Sequence, residues 1–372
     1  MSKFLKVFAF VLFFPFSATA MEVTFLNPGK QGERFWDMVT ETMQAAADDF
    51  DIQLEVVYAQ RNRIKLVELG KQITSRDNPP DYLILVNEEQ AAEKVFNSTH
   101  GKKIKTLMLL NDFLPQQRSS IGFPGDEGSN LLGAIVPDNE AAGRRMMQAL
   151  ADCADAKNAS PLHHILAIGG DRTTPASLDR NTGAIAFIKE NDQFKLDRFL
   201  YANWNQTEAE KITSSYLKWA ERNQIRPSGI WAANDPIALG AKNALTKAGY
   251  APGEDVCLVG LNWSKQGLNM VKSGEMVLTD GGHFLAGAWS IILLHDYHRK
   301  AQKSDSTLPG LVNFQMQSID QNNLQQYLHF LGDENWGKIN FSGFSLRDGA
   351  SYNDYDFSLE NVFRHIQQAE TD

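Results

Sequence analysis

Few places in the 372-residue chain put chemically capable residues at a suggestive spacing. His295 and His298 stand three apart in a helical pattern, a spacing that could seat a metal, but no third ligand accompanies them and no metal site is expected. Gly169-Gly170-Asp171 follows an apolar run, yet it lacks the Lys-Ser/Thr ending that a phosphate loop needs; Gly29-Lys30-Gln31-Gly32 falls short in the same way. There is no Gly-x-Ser-x-Gly elbow and no paired Cys-x-x-Cys. The expectation is therefore a protein without catalytic activity and without a cofactor. Amides and aromatics are what the chain supplies instead: Asn27, Asn87, Asn111, Asp171, Trp204, Asn234 and Asn262 each stand just after an apolar run. An Asn side chain both donates and accepts, an Arg donates in a fork, and flat aromatic rings cover C–H faces. That is chemistry for holding a small polar, sugar-like molecule rather than transforming it.

The elements that must position these residues alternate. Apolar runs at Glu22 to Leu26, Leu54 to Tyr58, Tyr82 to Val86 and Thr106 to Leu110 predict strands, with helical patterns at Arg34 to Asp49 and Arg63 to Thr74. Ile165 to Ile168, Arg198 to Tyr201, Gly229 to Ala232 and Val256 to Leu261 repeat the theme in the second half. Continuous apolar strands separated by helices indicate parallel sheets covered on both faces. Thr207-Glu208-Ala209-Glu210 reads as a capping box ahead of a helix reaching Arg222, and Asp235-Pro236 as an N-cap and first-turn proline for a helix stopped by Gly249. Asn139 is placed to cap a helix through Leu150. Two successive strand–helix series predict two α/β lobes, with Pro137-Asp138-Asn139 as the first crossing between them. Ligands of such sheets sit beyond the carboxyl ends of the strands, which is where the amides fall.

The chain's start reads as an export leader: Lys3 and Lys6, an apolar stretch from Val7 to Phe16, then the small residues Ser17-Ala18-Thr19-Ala20. That stretch is shorter than the roughly 20 residues of a membrane span, and Met21 rather than a Cys follows the cut, so the mature chain is expected in the periplasm without a lipid anchor. The net charge is -9, or -11 once Lys3 and Lys6 are removed, which argues against nucleic acid as a partner. Cys153 and Cys257 are the two cysteines. Cys257 lies in an apolar run and reads as a buried inert thiol, and whether the two pair is left open. His163-His164, leading into a strand, reads as ordinary surface.

Trp231-Ala232-Ala233-Asn234-Asp235-Pro236-Ile237-Ala238-Leu239-Gly240-Ala241 resembles the ribose-type periplasmic binding proteins, in which an Asn-Asp pair opens a helix of this apolar pattern. Val259-Gly260-Leu261-Asn262, Arg180-Asn181-Thr182-Gly183 and Phe35-Trp36 resemble further segments of that family, in order along the mature chain. The resemblance implies two doubly wound parallel-sheet lobes joined by a three-strand hinge that closes on ligand. It implies residues 21–138 and 281–313 in the first lobe, and 139–280 and 314–330 in the second. It carries over Phe35 and Trp36 as stacking groups, Asn87 and Asn111 as first-lobe hydrogen-bonding groups, and Arg180, Trp204, Asn234 and Asn262 on the second-lobe side. Asp235 reads as a helix cap rather than a ligand group.

The chain departs from the family at Asn111 and Asn262, which stand where ribose and hexose binders usually hold aspartates. Asp280-Gly281-Gly282-His283-Phe284 falls near the second hinge crossing, so His283 is a further candidate. The third crossing is placed near Phe314 to Ser318, and residues 331–372 form an extension, read as a structural strap on one lobe or as a docking surface for a membrane partner. The expected partner is an inner-membrane ABC permease receiving ligand from a monomeric receptor; the alternative is a co-receptor for a sensor kinase or cyclase.

Overall fold

The structure is a computed structural model that describes residues 21–157, 160–302 and 309–371; the expected leader lies outside them. The chain runs β1 (Glu22–Asn27), α1 (Arg34–Asp49), β2 (Gln53–Tyr58), α2 (Arg63–Thr74), β3 (Tyr82–Leu85), α3 (Ala92–Phe96), β4 (Lys105–Leu109), α4 (Arg118–Ile121) and β5 (Leu131–Pro137). It continues α5 (Asn139–Lys157), β6 (His163–Gly169), α6 (Pro175–Glu190), β7 (Phe194–Tyr201), α7 (Gln206–Arg222), β8 (Pro227–Ala232), α8 (Asp235–Lys247), β9 (Cys257–Leu261), α9 (Lys265–Lys272) and β10 (Leu278–Gly281). Then follow α10 (Ala286–Gln302), β11 (Gly310–Phe314), β12 (Gln317–Ile319), α11 (Leu324–Leu331) and α12 (Leu359–Thr371).

The strands form two six-stranded sheets, ordered β11-β5-β4-β3-β1-β2 and β12-β10-β9-β8-β6-β7. All pairings are parallel except β10 with β12. The central strands β3, β8 and β9 are buried along their whole length, as expected of strands with almost no charged or polar residue when helices cover both faces. The chain passes between the sheets three times, from β5 to α5, from β10 to α10, and from β11 to β12. One side chain touches all three crossings: Arg145, on α5, donates from Nη1 to Asp138 (2.6 Å), from Nε and Nη2 to Asp280 (3.2 and 3.1 Å), and from Nη2 to the Met316 carbonyl (2.8 Å).

Close helix packing fixes the second sheet's α5 against α6. A Cβ at Gly143 would lie 2.0 Å from the Arg180 carbonyl oxygen, and one at Gly183 would lie 1.9 Å from that of Glu140. Each helix thus presents a glycine where the other's backbone passes. Glycine costs a helix about 1 kcal/mol relative to alanine, and here that cost allows an approach no side chain would.

Several local expectations are corrected. Asn205, not Thr207, caps α7, accepting from Glu208 N, and Asn234, not Asp235, caps α8, accepting from Ile237 N at 3.0 Å. The Asn139 side chain does not cap α5; its Oδ1 accepts from Arg180 Nε at 2.8 Å. His163 is buried, with its ring stacked on Phe194. Cys153 and Cys257 are joined in a disulfide that ties α5 to β9, and no free cysteine remains among the described residues.

α11 packs beside the second sheet, and the segment after it packs on α1 and α10. Tyr327 of α11 packs edge-on against Trp263, which follows β9, with centroids 5.1 Å apart. Trp336 reaches Phe284 (4.9 Å) and donates from its indole to Glu41 of α1 (2.9 Å), while Phe357 stacks on Trp289 of α10 (4.5 Å). Buried Asp296 of α10 accepts from the Leu346 N–H (2.8 Å), the Tyr355 hydroxyl (2.7 Å) and the Ser345 hydroxyl.

Candidate functional site

Between the two sheets' carboxyl ends lies a cavity of about 220 Å³. That is below the roughly 300–1,000 Å³ of pockets for drug-sized ligands, and it suits a molecule of about one ring. Phe35, Trp36, Asn111, Arg180, Trp204, Asn234 and Asn262 all line it, and so does His283. Asn87 does not. Its amide donates to the Asp112 carbonyl (3.0 Å) and to Gln117 Oε1 (2.8 Å), inside the first lobe.

The wall is built largely from turns that leave strand ends. Leu110 after β4, Asn203 and Trp204 after β7, and Asn262 and Trp263 after β9 all hold positive φ, and so do Gln60 and Arg61 after β2. Such conformations are rare for bulky residues and cost of order 1–3 kcal/mol each, persisting where surrounding structure dictates them. Their concentration at one end of both sheets marks that end as the place where side-chain aim outweighs backbone ease.

On the first-lobe side, Phe35 and Trp36 form the opening turn of α1, meeting edge to face at 5.2 Å. Phe35 stacks on His283 (4.5 Å, 28°), which enters from the second crossing. Burial, aided by the nearby Arg180 charge, holds the His283 imidazole well below its ordinary pKa, so the ring is neutral. Arg61 sits over Trp36 and pairs with both Glu33 and Glu88. Burial pushes the Glu88 carboxyl up to about 7 even against the opposing field of Arg61.

On the second-lobe side, Arg180 of α6 is buried, donating from Nε to Asn139 and from Nη1 to the Ala233 carbonyl (3.2 Å). Desolvation lowers its pKa to about 10, with the charges of Asp280, Asp179 and Asp138 opposing. Trp204 is aimed by Asp171, which accepts its indole N–H at 2.7 Å and binds the Thr173 and Thr174 backbone with its other oxygen. Asp235 accepts from Ser264 N (2.9 Å), Ser264 Oγ (2.7 Å) and Thr279 Oγ1 (2.8 Å). Burial outweighs those bonds and raises its carboxyl to about 6. Across the gap, Asn111 Oδ1 accepts from Ala176 N (2.8 Å) and Thr174 Oγ1 accepts from Glu89 N (3.3 Å), so the two lobes are in direct contact over the cavity.

Sequence reasoning missed Glu33, Arg61 and Glu88, which also line the cavity. Glu88 follows β3 directly after Asn87, the amide that was chosen there, while the turn after β2 that carries Arg61 supplied no candidate.

Residues 23–299 match the family described as Periplasmic binding protein domain. A periplasmic sugar-binding protein from Pseudomonas fluorescens, solved by crystallography, is 30% identical with a TM-score of 0.80, covering 92% of this chain and 100% of that one. The myo-inositol-binding protein of Caulobacter has the same fold at 19% identity (TM-score 0.69, 82% of this chain and 95% of that one). The ribose import binding protein of Haemophilus influenzae is 24% identical over 71% of this chain and 80% of its own length. The xylitol-binding protein of Mycolicibacterium smegmatis is 30% identical over 153 residues, and the matched stretch spans 41% of each protein, less than half the length of that relative. The chain belongs to the periplasmic binding proteins of the ribose-binding type.

Proposed function

We propose that the protein is a periplasmic receptor that closes its two lobes on a small polar, sugar-like molecule and hands it, chemically unchanged, to an ABC permease of the inner membrane. The observation that carries this reading is the cavity wall. Rings from both lobes (Phe35 and Trp36 from one, Trp204 from the other) line it together with the hydrogen-bonding groups Arg180, Asn111, Asn234 and Asn262. Flat apolar faces ringed by donors and acceptors match a molecule with C–H faces and a hydroxyl rim. Relatives named for xylitol, ribose and galactofuranose support the ligand class. The sensor co-receptor reading rested on the aromatic C-terminal segment as a docking surface. The burial of Trp336, Phe341, Phe344 and Phe357 against the lobes withdraws that support.

Thermal unfolding across a panel of sugars, polyols, amino acids and nucleosides tests the reading. A ligand at about 100 times its Kd stabilises the folded state by about 2.7 kcal/mol, so one sugar-like compound should raise the midpoint by several degrees. A flat response to every sugar and polyol would overturn the sugar-like reading.

A further inference from the structure

The polar atoms facing the cavity are unevenly committed. In an amide side chain only the oxygen can accept a backbone N–H, so the bonds from Ile237 N and Ala176 N fix the side-chain carbonyls of Asn234 and Asn111 toward the protein. Their Nδ2 groups, each carrying two hydrogens, have no partner among the described residues. Arg180 is in the same condition. Its Nε and Nη1 are bonded to neutral oxygens of Asn139 and Ala233, while Nη2 has no acceptor among the described residues. The bond to the Ala233 carbonyl brings this guanidinium beside Asn234, the next residue.

The acidic groups of the wall are occupied. Asp235 already accepts three hydrogen bonds from Ser264 and Thr279, and Glu33 and Glu88 share Arg61. Three carboxylates act on Arg180 through their fields, but Asp138 and Asp280 are bonded to Arg145 and neither they nor Asp179 is bonded to Arg180. The second-lobe corner thus presents hydrogens in excess of free acceptors. A neutral sugar brings a hydrogen with every hydroxyl, and buried hydroxyl hydrogens without acceptors weaken binding because they lose their bonds to water and gain none. A carboxylate brings two acceptor oxygens and no hydrogen, and it matches a guanidinium fork. A guanidinium with no bonded carboxylate and a free Nη2 suits one anionic group.

Resting on the sugar-like reading above, we infer that the ligand is a sugar acid, a polyhydroxylated monocarboxylate whose anionic group is received by Arg180 with the Asn234 amide beside it. Asn111 donates to a neighbouring oxygen, and the uncommitted Asn262 amide serves a ring hydroxyl. The Phe35, Trp36 and Trp204 rings then hold the carbon skeleton.

Isothermal titration of the purified protein near neutral pH with matched pairs tests this: D-glucuronate against D-glucose, D-galacturonate against D-galactose, D-xylonate against xylitol, D-ribonate against ribitol. The acid of at least one pair should bind at least about tenfold tighter than its neutral partner. Arg180→Gln should abolish that preference. Asn262→Asp, which puts a second carboxylate in the cavity, should weaken the acid by about tenfold and leave the neutral partner bound as well or better; circular dichroism checks that each variant is folded. A neutral member binding as tightly as its acid, or tighter, would overturn the sugar-acid inference and leave the sugar-like reading standing. If no member of any pair binds while another neutral sugar or polyol of the thermal panel does, the sugar-acid inference fails and the sugar-like reading stands; if nothing in either set binds, both fail. An acid preference that survives Arg180→Gln would remove Arg180 as the anion's partner.

Discussion

Two arginines on neighbouring helices, Arg145 of α5 and Arg180 of α6, sit in opposite electrostatic circumstances. Arg145, partly open to solvent, is paired with Asp138 and Asp280 and with the Met316 carbonyl. Burial alone would lower its pKa, but the attraction of Asp280 and Asp138 outweighs burial and holds the guanidinium above its ordinary range. Arg180 is more deeply buried, has only neutral oxygens bonded to it, and is pushed down to about 10. The carboxylates divide in the same way: Asp280 has a guanidinium, whereas Asp235 has only two hydroxyls and a backbone N–H. The hinge therefore pairs its charges internally, whereas on the second-lobe wall of the cavity Arg180 and Asp235 have no bonded partner of opposite charge. A site that must bind something from outside keeps bonding capacity uncommitted, while a joint that must stay in register does not.

The largest effect that would sharpen this contrast is at the hinge. Removing one partner of a buried pair costs about 3–5 kcal/mol, and the solvent exposure of Arg145 places Asp280→Ala near about 3 kcal/mol, read from urea unfolding. Arg180→Met should behave differently. Ligand affinity should fall by about 1–3 kcal/mol for the lost hydrogen bonds, while the unfolding midpoint holds or rises because an unmatched buried charge has gone. If Arg180→Met destabilised the fold as much as Asp280→Ala, the contrast would collapse.

A smaller effect follows from Asp235. Burial raises its folded pKa to about 6, above the unfolded value of 3.8, so the native state takes up the proton first as pH falls. Its contribution to stability is thus full below the unfolded pKa and is lost as pH rises through about 6, by about 1 kcal/mol between about pH 5 and about pH 7. Measured as the difference between wild type and Asp235→Asn, the curve should fall with rising pH; a flat difference would show Asp235 to be matched after all.

How legible this was depended on the range of the forces involved. Helices α1 and α2 follow from their own periodic apolar faces, and the strands β1 to β4 and β6 to β9 from continuous apolar runs, so local pattern located them. The strand-end rule located the turns of the cavity, because parallel topology alone decides which end of a sheet holds ligand. It failed at Asn87 because the partner that consumes the amide, Gln117, lies 30 residues away in a turn with no sequence link to it. The disulfide was equally hidden. Cys153 sits in a helix and Cys257 in a strand, 104 residues apart, and only the packing of α5 on the sheet brings them together. The cap of α7 was misassigned because Asn205 and Thr207 are both good capping residues two positions apart, and tertiary context chose between them.

The hydrogen bond from Glu89 N to Thr174 Oγ1 joins the lobes through protein groups alone. A bond of this kind is worth about 1 kcal/mol, which corresponds to about a fivefold change in an equilibrium constant. Because apparent affinity scales with the fraction of molecules already in the competent state, this contact adjusts the concentration at which the receptor fills without touching how it recognises what fills it. Sensitivity and selectivity can then be tuned at different addresses in the same cleft.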